Sequence, residues 1–430
     1  MTHSWILCRL LESFRRLMLR IAGETTDVPA MRMGSVFKLP PASGRIACLL
    51  AITFSCCELP ADDALDFSTA RSVLTEAIQK RAFPGCAVAV GTRDRILWSA
   101  GFGHYCYDST TAAEIGLARN PRVTPETLYD LASLTKVIGT TSVVMSLVQD
   151  KKLKLTTSLS ESVPQFRVSN ERRQVSVEHL LTHSSGLPAW RAFYKISKGQ
   201  KAVLDSVTAV PLDAAPGNHY RYSDLGYMLL GKLAADSGGA SLDELEQKHI
   251  FEPLKMKNTL RRPAADILPQ IAPTERDAET GKFIHGVVHD ENCRAAGGVT
   301  GHAGLFSNVS DLSLFAQEML KALKGKGTVF AQATVQQFVA RRNLIEGSSR
   351  ALGWDTPSGR SSGGSLISKT AFGHTGFTGT SIWIDPDREA FVILLTNRVH
   401  PSRKNSQIAA VRRNLADAVW STIDRSGNSQ

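Results

Sequence analysis

The sequence lacks any apolar run of the roughly eighteen residues that a membrane-spanning helix needs, which excludes a polytopic membrane protein. Cysteine is scarce. Seven occur, and four of them (Cys8, Cys48, Cys56 and Cys57) fall within the first 60 residues. Cys86, Cys106 and Cys293 remain, an odd number at irregular spacing with no CxxC pair, so neither a disulfide framework nor a zinc site follows. Cys86 and Cys106 could pair, but nothing in the sequence requires it. No stripe of Lys and Arg interleaved with aromatics occurs, despite a net charge of +10 and a pI of about 9.3. Nucleic acid is therefore not expected as a partner. Repeats are absent, and the only biased stretch is Gly/Ser-rich, at 358–365. Hydrophobic residues at 43% and charged residues at 21% are ordinary globular usage, which excludes a disordered or collagen-like chain.

What is present divides near residue 60. The segment from Arg45 to Cys57 is apolar with no charge after Arg45, and its dozen or so residues suit the hydrophobic region of a signal peptide. Arg32, Lys38 and Arg45 supply the basic flank, and Met31 and Met33 stand where such a peptide would start. Residues 1–60 are thus expected to be an N-terminal extension and signal or anchor segment, cleaved near Ala61 or lipidated at Cys56 or Cys57. The protein is expected to be exported and periplasmic or envelope-associated, with membrane anchoring through this segment as an open possibility. Residues 1–60 hold seven Lys and Arg against four Asp and Glu, which leaves about +7 on residues 61–430.

Hydrophobic spacing organises the rest. Phe67, Ala70, Val73, Leu74 and Ile78 share a helical face over 66–82. Apolar runs at 85–91 and 95–100, separated by Thr92, Arg93 and Asp94, predict an antiparallel hairpin. A long apolar helix is expected from Ser133 to Val148, and another helix over 311–323. Runs at 380–386 and 390–396 read as two strands, followed by an amphipathic helix over 405–423. The simplest assembly is an α/β (α+β) sandwich. One antiparallel sheet takes strands from both ends of a 61–430 domain and is flanked by helices, with a mainly helical insertion at about 140–300.

Three short motifs carry chemistry. In Ser133-Leu-Thr-Lys136 the serine and lysine lie one helical turn apart, where a neutral lysine can take the serine proton. Tyr222-Ser223-Asp224 follows some ninety residues later, and His374-Thr375-Gly376 about one hundred and fifty after that. Each alone is weak, but their order and spacing together are specific. On these motifs the chain resembles the serine β-lactamase and penicillin-binding protein superfamily, class C-like and of low-molecular-weight penicillin-binding type, over most of 65–425. Phe83–Val90, Leu180–Gly186, Asp290–Asn292, Gly297–Phe306 and Gly373–Gly379 support the resemblance.

The resemblance implies the β-lactamase/transpeptidase-like fold and an exported serine acyl-hydrolase working through an acyl-enzyme. It implies no cofactor and no metal. The expected substrate is a small molecule or peptidoglycan peptide of D-Ala-D-Ala type, with a carboxylesterase as the alternative. A silent penicillin-recognising sensor or wall-binding protein is the non-enzyme alternative. Ser133 would be the nucleophile, Lys136 its proton partner and Tyr222 the proton shuttle. The backbone N–H groups of Ser133 and Phe377 would form the oxyanion hole. Asp224, Thr375 and Gly376 would border the substrate. Asp224 stands where asparagine is usual, so it accepts but does not donate. His374 stands where lysine is usual, so its positive charge would depend on pH.

Bland readings attach to several other residues. His183 and His302 are expected to pin loops. His285 and His289 have a weak metal-ligand spacing that Gly286 disfavours on a helix. Gly359–Gly363 matches G-x-S-x-G without the strand and helix such an elbow needs, and Lys369-Thr-Ala lacks the final glycine of a third motif.

Overall fold

Apolar runs from the two ends of the chain meet in one sheet. A computed structural model describes residues Leu65–Gly427; the expected export segment lies outside them. The strands are β1 (Gly85–Thr92), β2 (Ile96–Gly103), β3 (Tyr129–Asp130), β4 (Leu260–Arg261), β5 (Leu305–Ser307), β6 (Phe372–Thr375), β7 (Ser381–Asp385) and β8 (Ala390–Thr396). The helices that frame them are α1 (Ser68–Gln79), α2 (Ser142–Gln149), α3 (Asp224–Gly238), α4 (Val309–Leu323) and α5 (Ile408–Gly427). The five-stranded antiparallel sheet runs β2-β1-β8-β7-β6, and β3, β5 and β4 form a separate small ribbon. This is the sandwich expected from the sequence.

Strand period two sorts the side chains between the layers. Val88, Val90, Trp383, Val392 and Leu394 face one way, onto Leu74 of α1 and Leu415, Val419 and Trp420 of α5. Ala87, Ala89, Ile382, Ile384, Phe391, Ile393 and Leu395 face the other way, into a larger core that includes Phe315 and Met319 of α4. β1 and β8 are covered on both faces, which is why their sequences are almost continuously apolar. Cys86 and Cys106 are free buried thiols, so the pairing left open by the sequence does not form.

The helix expected over 133–148 is real but uneven. It opens with a 3₁₀ turn at Ala132–Leu134, widens to a π turn at Lys136–Thr141, and becomes regular only in α2. π turns interrupt helices mostly where function requires an irregular side-chain position. Ala132 holds φ +46°, a left-handed conformation that strains a residue with a Cβ. Asp130 fixes it by accepting the Ala132 N–H at 2.8 Å. The result is a sharp entry that presents Ser133 at the head of the helix.

Behind the π turn lies a buried ion pair. Arg261 donates to Glu246 through Nε (2.7 Å) and Nη2 (2.8 Å), and to the Ala303 carbonyl through Nη1 (2.9 Å). Gly139 faces this pair; a Cβ there would stand 2.2 Å from Glu246 Oε1. Removing one member leaves the other charge buried and unpaired. Glu246→Ala should therefore lose roughly 3–5 kcal/mol in denaturant unfolding, and a loss below about 1 kcal/mol would show that Arg261 finds other partners.

Candidate active site

The motif residues converge on one buried ammonium. Lys136 Nζ donates to Ser133 Oγ at 3.0 Å and to the His302 carbonyl at 3.1 Å. The third direction is taken by Asp224 Oδ1 at 2.8 Å, with the lysine side chain fully enclosed. Burial alone would push the Lys136 pKa down, but the Asp224 carboxylate and the Tyr222 phenol outweigh it, and the net shift is upward. The lysine is thus an ammonium in this resting geometry, which corrects the expectation of a neutral base beside the serine. Aspartate in place of asparagine supplies the counter-charge responsible.

His302 holds its carbonyl toward Lys136 because its ring is anchored on both sides. Nε2 meets Asp290 Oδ1 at 2.9 Å and Nδ1 meets Thr300 Oγ1 at 2.9 Å. The loop-pinning reading of His302 therefore gains a consequence at the site. Asp290 in turn caps the following turn by accepting the Cys293 N–H at 2.7 Å.

The loop after β6 is drawn against the head of the Ser133 helix. Thr378 Oγ1 donates to the Asp130 carbonyl (2.7 Å) and Thr380 Oγ1 to the Leu131 carbonyl (2.9 Å). Gly376 makes this approach possible, since a Cβ there would fall 2.4 Å from the Leu131 carbonyl oxygen. Two arginines hold the loop from behind. Arg398 Nε donates to the Phe377 carbonyl (2.8 Å), and Arg412 Nη2 donates to the carbonyls of Gly376 (2.7 Å) and Thr380 (2.8 Å). The backbone of Phe377 is thereby fixed beside Ser133, while its ring, 48% exposed, rests on His289 and under Arg398.

Tyr222 precedes α3 and lies with its ring 4.9 Å from Lys136 Nζ. His374, on β6 opposite Ile382, lies 6.0 Å from the Tyr222 ring by centroids. Its Nδ1 faces the Thr375 carbonyl at 2.9 Å, and a carbonyl only accepts, so Nδ1 carries the proton. Burial, then the charges of Arg350 and Lys136, drive the His374 pKa well below 6.5. His374 is a neutral imidazole and not the pH-conditional cation that its position suggested.

The fixed positive charge near His374 and Tyr222 comes from a residue that sequence reasoning missed. Arg350 donates through Nε to Tyr220 Oη at 3.1 Å, and its guanidinium carbon lies 5.4 Å from the Tyr222 ring. Its Nη1 is buried with no protein partner. Nothing in the sequence marks Arg350, which sits in an irregular Ser-rich stretch with no motif spacing. Asp130 was missed for the same reason: its role comes from accepting the N–H groups of Ala132 and, at 2.6 Å, His289.

The remaining candidates lie elsewhere or are engaged otherwise. His289 Nε2 meets Glu275 Oε2 at 3.0 Å, whereas His285 Nε2 meets the Ile271 carbonyl at 2.9 Å, so the two imidazoles do not share a ligand position. Among the described residues, no group of three or more His, Cys, Asp or Glu could hold a metal ion. Gly359–Gly363 is a loop, where Ser362 accepts from Trp383 Nε1 at 3.0 Å. Lys369 lies in a turn ahead of β6.

Comparison with known proteins agrees with this arrangement. The Beta-lactamase family model matches residues 70–416. A Bacillus subtilis (strain 168) protein named N-acetylmuramyl-L-alanine amidase is 33% identical over 348 residues, 74% of this chain and 78% of its own length. A Salmonella heidelberg (strain SL476) protein, named provisionally as a D-alanyl-D-alanine carboxypeptidase, is 32% identical over 333 residues, 70% of this chain and 76% of its own. The crystal structure of a class C β-lactamase superposes with a TM-score of 0.65 at 20% identity, covering 82% of this chain and 97% of the other. With its sandwich fold, its Ser133–Lys136 pair and its match across most of its length, this chain belongs to the β-lactamase family of serine hydrolases.

Proposed function

We propose that the protein is an exported acyl-hydrolase of peptidoglycan-derived peptides, of D-Ala-D-Ala carboxypeptidase type, in which Ser133 is the nucleophile. The observation that carries this reading is the Ser133 Oγ–Lys136 Nζ contact of 3.0 Å beside Tyr222 and the pinned Phe377 loop. In this reading Ser133 attacks the scissile carbonyl and Tyr222 takes the serine proton, since Lys136 is already charged. Lys136 then faces the tyrosinate so formed. Tyr222 returns the proton to the leaving amine, and the acyl-enzyme is later released by water through the same phenol. The N–H groups of Ser133 and Phe377 receive the oxyanion, where one such donor contributes about 3 kcal/mol in the transition state. The names of both curated relatives refer to amides of the bacterial wall, which supports a wall-peptide substrate over an ester.

Arg350 supports an anionic substrate. Its buried, unpartnered Nη1 offers a donor to a carboxylate, the function that neutral His374 cannot perform. A carboxylesterase on the same residues remains the second reading. A panel of D-Ala-D-Ala peptide, N-acetylmuramyl-L-alanine peptide, chromogenic cephalosporin and nitrophenyl ester separates them.

A fluorescent penicillin should label the wild type covalently and leave Ser133→Ala unlabelled; a label that persists in the variant removes Ser133 from the nucleophile's role. Arg350→Gln should raise KM about tenfold for the D-Ala-D-Ala peptide, the cost of one charged hydrogen bond, while leaving KM for the uncharged ester unchanged. Equal effects on both would remove carboxylate recognition from Arg350.

His374 should give no inflection in kcat/KM between pH 5 and 8, because it is neutral throughout. Its signature belongs to stability. Unfolding exposes the imidazole, which then takes up a proton below its ordinary value of 6.5. The unfolded chain therefore binds more protons, and stability falls as pH drops below 6.5, by up to about 1.4 kcal/mol per unit. His374→Asn should flatten this part of the slope in denaturation at pH 5 and pH 7.

A further inference from the structure

His183 was expected only to pin its loop, yet its contacts all lead to Tyr222. It follows the short helix Val177–Leu181 and holds φ +56°, a conformation that strains any side chain of its size. The loop is braced to sustain this. Thr182 Oγ1 meets Ser184 Oγ at 2.8 Å, the Ser184 carbonyl accepts the Gly217 N–H at 2.8 Å, and the Gly186 carbonyl accepts the Asp213 N–H at 2.8 Å. A Cβ on Gly186 would collide with the Ala214 carbonyl, at 1.9 Å.

From that braced position His183 meets both chain neighbours of Tyr222. Its carbonyl accepts the Arg221 N–H at 2.9 Å, and its Nδ1 accepts the Ser223 N–H at 3.1 Å. The ring packs on Tyr222 with centroids 4.4 Å apart, and on Tyr227 at 5.1 Å. Tyr227 is anchored in turn by its hydroxyl, 3.1 Å from Thr141 Oγ1 in the π turn that carries Lys136. Because Nδ1 accepts from a backbone N–H, the ring proton sits on Nε2, which is buried without a protein partner. Burial and the charges of Arg350 and Lys136 keep the imidazole neutral, so this acceptor stays available. A structural histidine satisfied by its own loop would need neither the strained backbone nor the unpartnered nitrogen.

We infer that His183 is a positioning residue for Tyr222: it grips the backbone on both sides of the tyrosine and backs the phenol ring against Lys136. This rests on the reading of Tyr222 as the proton shuttle. Removing the ring leaves the phenol free to shift, and a displacement of about 1 Å in a proton-transfer group can cost up to about 100-fold in rate.

His183→Asn tests this. Asparagine tolerates the positive φ and can still accept the Ser223 N–H, but it lacks the ring. Measured on the purified protein with chromogenic cephalosporin, kcat should fall about 10- to 100-fold with KM within about threefold. Labelling of Ser133 by fluorescent penicillin should still reach full stoichiometry. The double variant H183N/Y222F should be no slower than Y222F alone, because the ring acts only through the phenol. Losses that multiply, or a kcat equal to wild type, overturn the inference. Tyr227→Leu, which loosens the other side of the sandwich, should give the same non-additive pattern if H183N is not recovered folded; multiplied losses there also overturn it. If Y222F itself keeps full kcat, the shuttle role fails. If Y222F is slow and H183N is not, only the inference about His183 fails.

Discussion

A charge taken fully out of water must be answered on every side, and Lys136 is that charge. Its ammonium has three protons, and three oxygens meet it: the Ser133 hydroxyl, the His302 carbonyl and the Asp224 carboxylate. These oxygens come from the helix head, from the loop before β5 and from the N-terminus of α3. Meeting the demand of one nitrogen therefore sets the relative position of three distant segments. Ser223 reinforces the third by capping α3, where its Oγ accepts the Gly226 N–H at 3.0 Å, and by donating to the Pro188 carbonyl at 2.6 Å.

The same constraint distributes charge around the phenol of Tyr222. Two cations, Lys136 and Arg350, and two neutral imidazoles, His183 and His374, surround one ring. The imidazoles are neutral because the cations are close, so the positive potential at the phenol is supplied by groups that keep their protons across the physiological range. A histidine at the third motif is then compatible with a site that holds negative charge, because the guanidinium carries that burden.

Much of this was legible in the residues and some was not. The sheet strands β1, β7 and β8 and helices α1, α4 and α5 follow from hydrophobic period, since each buries a continuous apolar face. Strand β6 escaped that reading: Phe372–Thr375 is short, lies at the sheet edge, and is built of residues that also suit a loop. The motif residues Ser133, Lys136, Tyr222, Asp224 and His374 were found because their order in sequence is itself a signature. Arg350, Asp130 and His183's grip on Tyr222 were not, because they depend on which loops fold onto which. The charge on Lys136 was misjudged for a related reason: spacing of i and i+3 shows that serine and lysine meet, but not that a carboxylate ninety residues away completes the contact.

The strand order has a temporal consequence. β1 pairs with β8, so Val88 lies opposite Leu394, and the Phe377 loop enters only with strands β6 and β7. As the chain is synthesised, Ser133 and Lys136 emerge long before the amide that completes their site. Pairing across some three hundred residues places this sheet among topologies of high contact order, which close late and slowly. The nucleophile therefore exists without its oxyanion partner for most of synthesis, and the reactive serine is assembled into a working site only when the last quarter of the chain has joined the first.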